Sequence, residues 1–83
     1  MGLFKNKYEK DLDETIKKID INMSNNYKDA AQDNLREFAE NFEKYKSMGK
    51  LGDKSLAKYG ELLEGYKEKM KGYTHKDQKP FWT

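Results

Sequence analysis

Eighty-three residues, 39% charged and 35% apolar, set narrow limits: the chain forms one small domain with a restricted core. It has no cysteine, which excludes a disulfide framework and a thiolate zinc site. Apolar runs never exceed two residues, so neither a transmembrane helix nor a secretory leader is expected, and the predicted compartment is the cytoplasm. The net charge is only +2, and its excess lies in residues 49–83, which carry eight basic and five acidic groups. That bias is far smaller than a nucleic-acid binder uses. High charge can signal disorder, but 13% aromatic content and regular apolar spacing argue for a fold. Plentiful Lys, Asn, Asp, Glu and Tyr beside the single Arg36 is the usage of an AT-rich bacterial or phage genome.

The start, MGLFKN, fails the myristoylation pattern because position 6 is Asn. From there Tyr8, Leu12, Ile16, Ile19 and Met23 recur every three or four residues and predict a helix near 6–22. Asp13 and Lys17, like Glu14 and Lys18, form i,i+4 pairs expected on its outer surface. Ser24, Asn25 and Asn26 interrupt the pattern, because their side chains compete with helical backbone bonding. Asn26, three residues before Asp29, is the expected N-cap of a second helix.

That helix is predicted near 26–48, with the stripe Tyr27, Ala31, Leu35, Phe38, Phe42 and Tyr45. Gly49 can take the left-handed position after it, and Asp53 is the expected N-cap of the third helix. The third, near 54–72, aligns Leu56, Tyr59, Leu63, Tyr66, Met70 and Tyr73 in a strict 3,4 alternation. Gly60 and Gly65 flank this seam, as weak points or as places of close approach. Short connections make successive helices antiparallel. The predicted fold is therefore all-α, a small antiparallel three-helix bundle (up-down-up) over residues 1–73, favoured as a monomer over a homodimer. Phe38, Phe42, Leu63 and Tyr66 are expected among its most buried residues.

Residues 74–83 lose the periodicity, and an extended, loosely docked C-terminal tail is expected there. Pro80 favours an extended approach to Phe81 and Trp82, the latter expected to fold back near the end of the third helix.

Chemistry-bearing patterns are sparse. His75 is the single histidine, with no thiol or paired serine to activate and no second and third ligand for a metal. No Glu-x-x-His pair suits a di-iron bundle, and GKLGDKS lacks the phosphate-loop spacing. Tyr73 and Asp77 have the Tyr-x-x-x-Asp spacing found in the tails of helical hairpins exported by type VII secretion. The turn lacks that family's Trp-x-Gly, and the chain is not assigned to it. No catalytic residue, cofactor or metal is predicted, and the protein is read as a non-enzyme that binds another protein. Its candidate partner-binding residues are Tyr73, Phe81, Trp82, Lys67 and Lys71, since tyrosine and tryptophan are enriched at binding hot spots. The alternative is binding of an anionic membrane surface or nucleic acid through the C-terminal lysines.

Overall fold

Asn6 opens the first helix. Its side-chain oxygen accepts from the Glu9 N–H at 2.8 Å, and the Glu9 carboxylate accepts from the Asn6 N–H at 3.2 Å. This reciprocal capping box satisfies a donor that the helix start leaves without an internal partner. The Asn6 amide also donates to the Lys50 carbonyl at 3.0 Å, fastening the start of the first helix to a later turn. The computed structural model describes residues 6–73, with side chains through Lys71. It contains α1 (Lys7–Ser24), α2 (Lys28–Ser47) and α3 (Asp53–Lys69), followed by a 3₁₀ turn, Met70–Tyr73.

Side-chain contacts fix the helix directions. Asn22 bonds Asn34, Lys18 faces Glu37, and Asp11 accepts from Tyr45, so the α2 partner climbs as the α1 number falls. α1 and α2 are therefore antiparallel. Towards α3 the partners of Glu9, Asp13 and Asp20 are Ser55, Tyr59 and Tyr66, each 46 residues further on. A constant difference makes α1 and α3 parallel, completing the up-down-up bundle. α2 packs against both neighbours, whereas α1 and α3 approach each other less closely and are bridged by long side chains.

Both connections between helices close with the same backbone device. After α1, Asn26 N–H donates to Met23 C=O (3.1 Å) and Tyr27 N–H to Asn22 C=O (2.8 Å). After α2, Gly49 N–H donates to Lys46 C=O and Lys50 N–H to Tyr45 C=O, both at 3.0 Å. These are Schellman closures, which need a left-handed residue between the helix end and the exit. Gly49 (φ 70°) and Asn26 (φ 62°) supply it.

Three expected boundaries change for identifiable reasons. Asn26 does not cap α2, because it is consumed in terminating α1; Tyr27 takes the N-cap position without a side-chain bond. Asp53 is the first residue of α3 rather than its cap, since Gly52 already adopts the extended cap conformation (φ −74°, ψ 172°). Its carboxylate still lies at the positive end of the helix dipole. The third α-helix stops at Lys69, where the Met70 N–H bonds back to Tyr66 and Glu68 and the chain tightens into the 3₁₀ turn. Such tightening satisfies carbonyls left open at a helix end.

The core runs the length of the bundle. Leu12, Ile19, Leu35, Phe38 and Met70 are fully buried, and Phe42, Leu63, Tyr59 and Tyr66 nearly so. All four residues expected at the centre are thus inside. Tyr27 is a correction: it stands ahead of the first turn of α2, leaves the predicted stripe and is exposed. Leu51, from the second turn, is buried, as is Thr15, whose hydroxyl donates to the Asp11 carbonyl at 3.1 Å. The predicted tail, residues 74–83 with His75, Pro80, Phe81 and Trp82, lies outside the described residues.

Candidate interaction surface

Tyrosine recurs every seven residues in α3, a pattern that suits either a core seam or a partner-binding face. In the structure Tyr59 and Tyr66 are buried, 1% and 7% exposed. Aspartate recurs at the same interval in α1, and the two repeats meet. Tyr59 donates to Asp13 at 2.8 Å and Tyr66 to Asp20 at 2.7 Å. On the other flank of α1, Tyr45 donates to Asp11 at 2.6 Å, and Asn41 donates to the same carboxylate oxygen at 3.4 Å. The Tyr45 phenol is pushed up to about 12, first by its bond to Asp11 and then by burial. Burial, followed by the bonds to Asp13 and Asp20, raises the Tyr59 and Tyr66 phenols well above their ordinary value. These hydroxyls are held as donors at neutral pH. They join helices together.

Asp13 corrects an expectation, since it faces the α1–α3 seam half-buried rather than the outer surface. The signal was present in the sequence as two matched seven-residue repeats, Asp13/Asp20 and Tyr59/Tyr66. Only a parallel pairing of the first and third helices connects them.

Of the expected C-terminal lysines, Lys76 and Lys79 lie outside the described residues, and those within them lie against carboxylates or ring faces. Lys67 is half-buried and pairs with Glu64 at 3.4 Å. Lys71 is exposed and pairs with Glu68 at 3.2 Å. Lys58 and Lys69 lie over the Tyr59 and Tyr66 rings, at 5.1 and 5.8 Å from their centroids. Cations are thus interleaved with carboxylates and ring faces along α3. Tyr73 ends the 3₁₀ turn; its side chain, like Phe81 and Trp82, lies outside the description. The five candidate residues are therefore not brought together as a described site.

Among the described residues, three large apolar side chains are exposed: Ile21 (59%), Tyr27 (61%) and Met48 (46%). Met48 sits at the α2–α3 turn. Ile21 and Tyr27 share the opposite end, where the Tyr27 N–H bonds the carbonyl of the residue next to Ile21. Because α1 and α3 are parallel, the 3₁₀ turn ends at this same level and packs on α2. Sequence periodicity placed Tyr27 inside and did not single out Ile21. The latter is two residues from buried Ile19, which on a helix points to the opposite face.

Among the described residues, no group of three or more His, Asp or Glu side chains is placed to hold a metal ion. None of the described helices is long and apolar enough to cross a membrane. No buried side-chain nitrogen or oxygen there lacks a hydrogen-bond partner. No protein-family model, curated protein or solved structure matches this chain.

Proposed function

We propose that the protein is a cytoplasmic, non-enzymatic helical bundle that acts as a monomer by binding another protein through its Ile21/Tyr27 end. The carrying observation is the exposure of these two side chains at one end of the bundle; among the described residues, Met48 is the other exposed large apolar side chain. An exposed tyrosine supplies large contact area at low entropic cost and is the usual material of a binding hot spot. The alternative, an anionic membrane or nucleic acid held by the C-terminal lysines, has less support. Lys67 and Lys71 already face Glu64 and Glu68, and those carboxylates would repel phosphate.

Affinity capture from the source cell, comparing the natural chain with an Ile21→Asp/Tyr27→Asp variant, tests the reading. One protein should be retained by the natural chain through a high-salt wash and lost from the variant. Equal capture by both chains would count against this surface. Binding to anionic vesicles or single-stranded oligonucleotides that falls steeply with salt would favour the alternative.

A further inference from the structure

The start of α1 and the α2–α3 turn share the end of the bundle opposite Ile21 and Tyr27, and exposed charge there is one-sided. We propose that this end rests on a bilayer surface rich in anionic lipid, with Met48 entering the headgroup layer among exposed lysines. The inference goes beyond the partner reading, which uses the other end of the molecule.

Three contacts fix what belongs to this end. The Asn6 amide donates to the Lys50 carbonyl, Glu9 accepts from Ser55, and the Tyr8 and Tyr45 rings meet edge-on at 4.9 Å. The first five residues of α1 and of α3, the last five of α2 and the turn therefore lie together. They carry Lys7, Lys10, Lys44, Lys46, Lys50 and Lys54, all exposed. Of the four carboxylates here, Glu9 and Asp11 are half-buried and already bonded, Glu9 to Ser55 and Asp11 to Tyr45 and Asn41. Only Glu43 and Asp53 are exposed, so six exposed lysines face two exposed carboxylates. Over the rest of the described residues the balance reverses, with eight basic and ten acidic groups.

Helix electrostatics does not account for the cluster. Lys44 and Lys46 suit the negative end of α2, but Lys7 and Lys54 stand at helix starts, where the dipole disfavours a cation. Lys7 and Lys50 both lie over the Tyr8 ring, 5.3 and 5.8 Å from its centroid, which gathers two ammonium groups from separate elements. Met48, 46% exposed, is the large apolar side chain exposed at this end. An apolar chain among lysines matches a headgroup layer, where the acyl boundary takes the thioether and the phosphates take the ammonium groups. Nucleic acid fits less well, because its bases stack on exposed ring faces. The two rings here, Tyr8 and Tyr45, are half-buried against each other. With the bundle upright, the 20 residues of α2 hold Ile21 and Tyr27 about 30 Å from the surface, where a partner can reach them.

The test is sedimentation of the purified full chain with phosphatidylcholine vesicles, with and without phosphatidylserine. It is run at about 0.1 M salt, where a Debye length of about 10 Å screens charges at the far end. Two charge-matched variants are compared, Lys46→Glu/Lys54→Glu at this end and Lys69→Glu/Lys71→Glu at the other. Met48→Ser is the third, and circular dichroism checks that helical content is equal throughout. Binding should require phosphatidylserine. A lysine at an anionic surface contributes about fivefold to partitioning, so Lys46→Glu/Lys54→Glu should lower it by about 25-fold or more. Met48→Ser should lower it severalfold, and Lys69→Glu/Lys71→Glu should stay within about twofold of the natural chain. Absence of sedimentation with phosphatidylserine vesicles would overturn the proposal. Equal loss in the two lysine pairs, or a larger loss in Lys69→Glu/Lys71→Glu, would also overturn it and move the contact to the C-terminal lysines. Single-stranded oligonucleotide binding that Met48→Ser leaves unchanged, without vesicle binding, would assign this end to nucleic acid instead. The assay contains no partner protein, so failure of the partner reading leaves its result intact.

Discussion

The Tyr66 hydroxyl donates to Asp20 across 2.7 Å, joining α3 to α1 one heptad beyond the same bond between Tyr59 and Asp13. α1 and α3 are the less closely packed pair of helices, so these bonds carry much of their alignment. A hydrogen bond to a charged acceptor contributes about 1.5–3 kcal/mol, and less where the carboxylate remains in water, as Asp20 does. Tyr59→Phe keeps the ring and removes the bond to half-buried Asp13. Its expected cost is about 1.5–2 kcal/mol by denaturant titration, against about 1 kcal/mol for Tyr66→Phe. Equal midpoints for both variants and the natural chain would remove these bonds from the account of stability.

The same bonds predict how the fold fails in base. Tyr45, Tyr59 and Tyr66 all have phenols raised above the ordinary value near 10. An unfolded chain releases those protons first, so stability is fully present below about pH 10 and declines as pH rises through the folded values. For Tyr45 that decline runs from about 10 to about 12. Absorbance at 295 nm and helical circular dichroism should therefore change together in this range. Tyr59→Phe should make the loss of stability with pH shallower; an identical slope would contradict the assignment.

The two turn residues make a paired test. Gly49 has φ 70° and Asn26 φ 62°, and a β-carbon at Gly49 would meet nothing within 4 Å. The cost of Gly49→Ala is therefore backbone strain alone, about 1–2 kcal/mol. Asn26→Gly relieves the smaller strain that asparagine tolerates and should stabilise by about 0.5–1 kcal/mol. Thermal melts of the two variants should move in opposite directions.

Which parts of this fold were legible depends on how many elements a signal involves. The stripe Leu35, Phe38 and Phe42 and the stripe Tyr59, Leu63 and Tyr66 are each set by one helix, and periodicity alone locates them. Gly49 was legible because glycine enters the left-handed conformation at a helix end without a β-carbon penalty. Asn26 was ambiguous: asparagine serves equally as an N-cap and as a left-handed closure, and only the Tyr27–Asn22 bond decides. The Asp–Tyr seam needed the pairing of two helices 46 residues apart. The Asn6–Glu9 capping box was readable as a local motif and was overlooked. Of the proposed surface, Tyr27 was hidden by the expectation that the second helix begins near residue 26, two residues before α2 starts at Lys28.

Phe42 tests the core register. It is 6% exposed, lies 6.4 Å from the Phe38 ring centre, and reaches across to Gly60 of α3. Truncation to alanine removes the ring from a seam where two helices meet, at an expected cost of about 3–5 kcal/mol. A domain of this size has little more than that in reserve. Phe42→Ala should thus populate unfolded protein at room temperature, read as lost helical ellipticity that osmolyte restores. A cooperative melt close to the natural one would mean that the ring is not part of the core.

The helical glycines give a test in the stabilising direction. Gly65 is exposed in the middle of α3, and an added β-carbon there meets nothing within 4 Å. At Gly60 the same carbon would touch the far end of the Phe42 ring at 3.6 Å, an ordinary van der Waals contact. Neither glycine has a positive φ, so neither is required by backbone geometry. Alanine should therefore recover its helix-propensity advantage of about 1 kcal/mol at each position. At Gly60 the new methyl group also adds a contact with the ring, so Gly60→Ala should match or exceed Gly65→Ala. For a domain this small, 1 kcal/mol raises the melting midpoint by about 4–8 °C. The two sites lie more than a helical turn apart and share no partner, so the double variant should add the two gains. Destabilisation by Gly60→Ala alone would show that α2 and α3 pack more tightly at Phe42 than the 3.6 Å separation implies. Destabilisation by Gly65→Ala would require an unseen close neighbour on the outer face of α3.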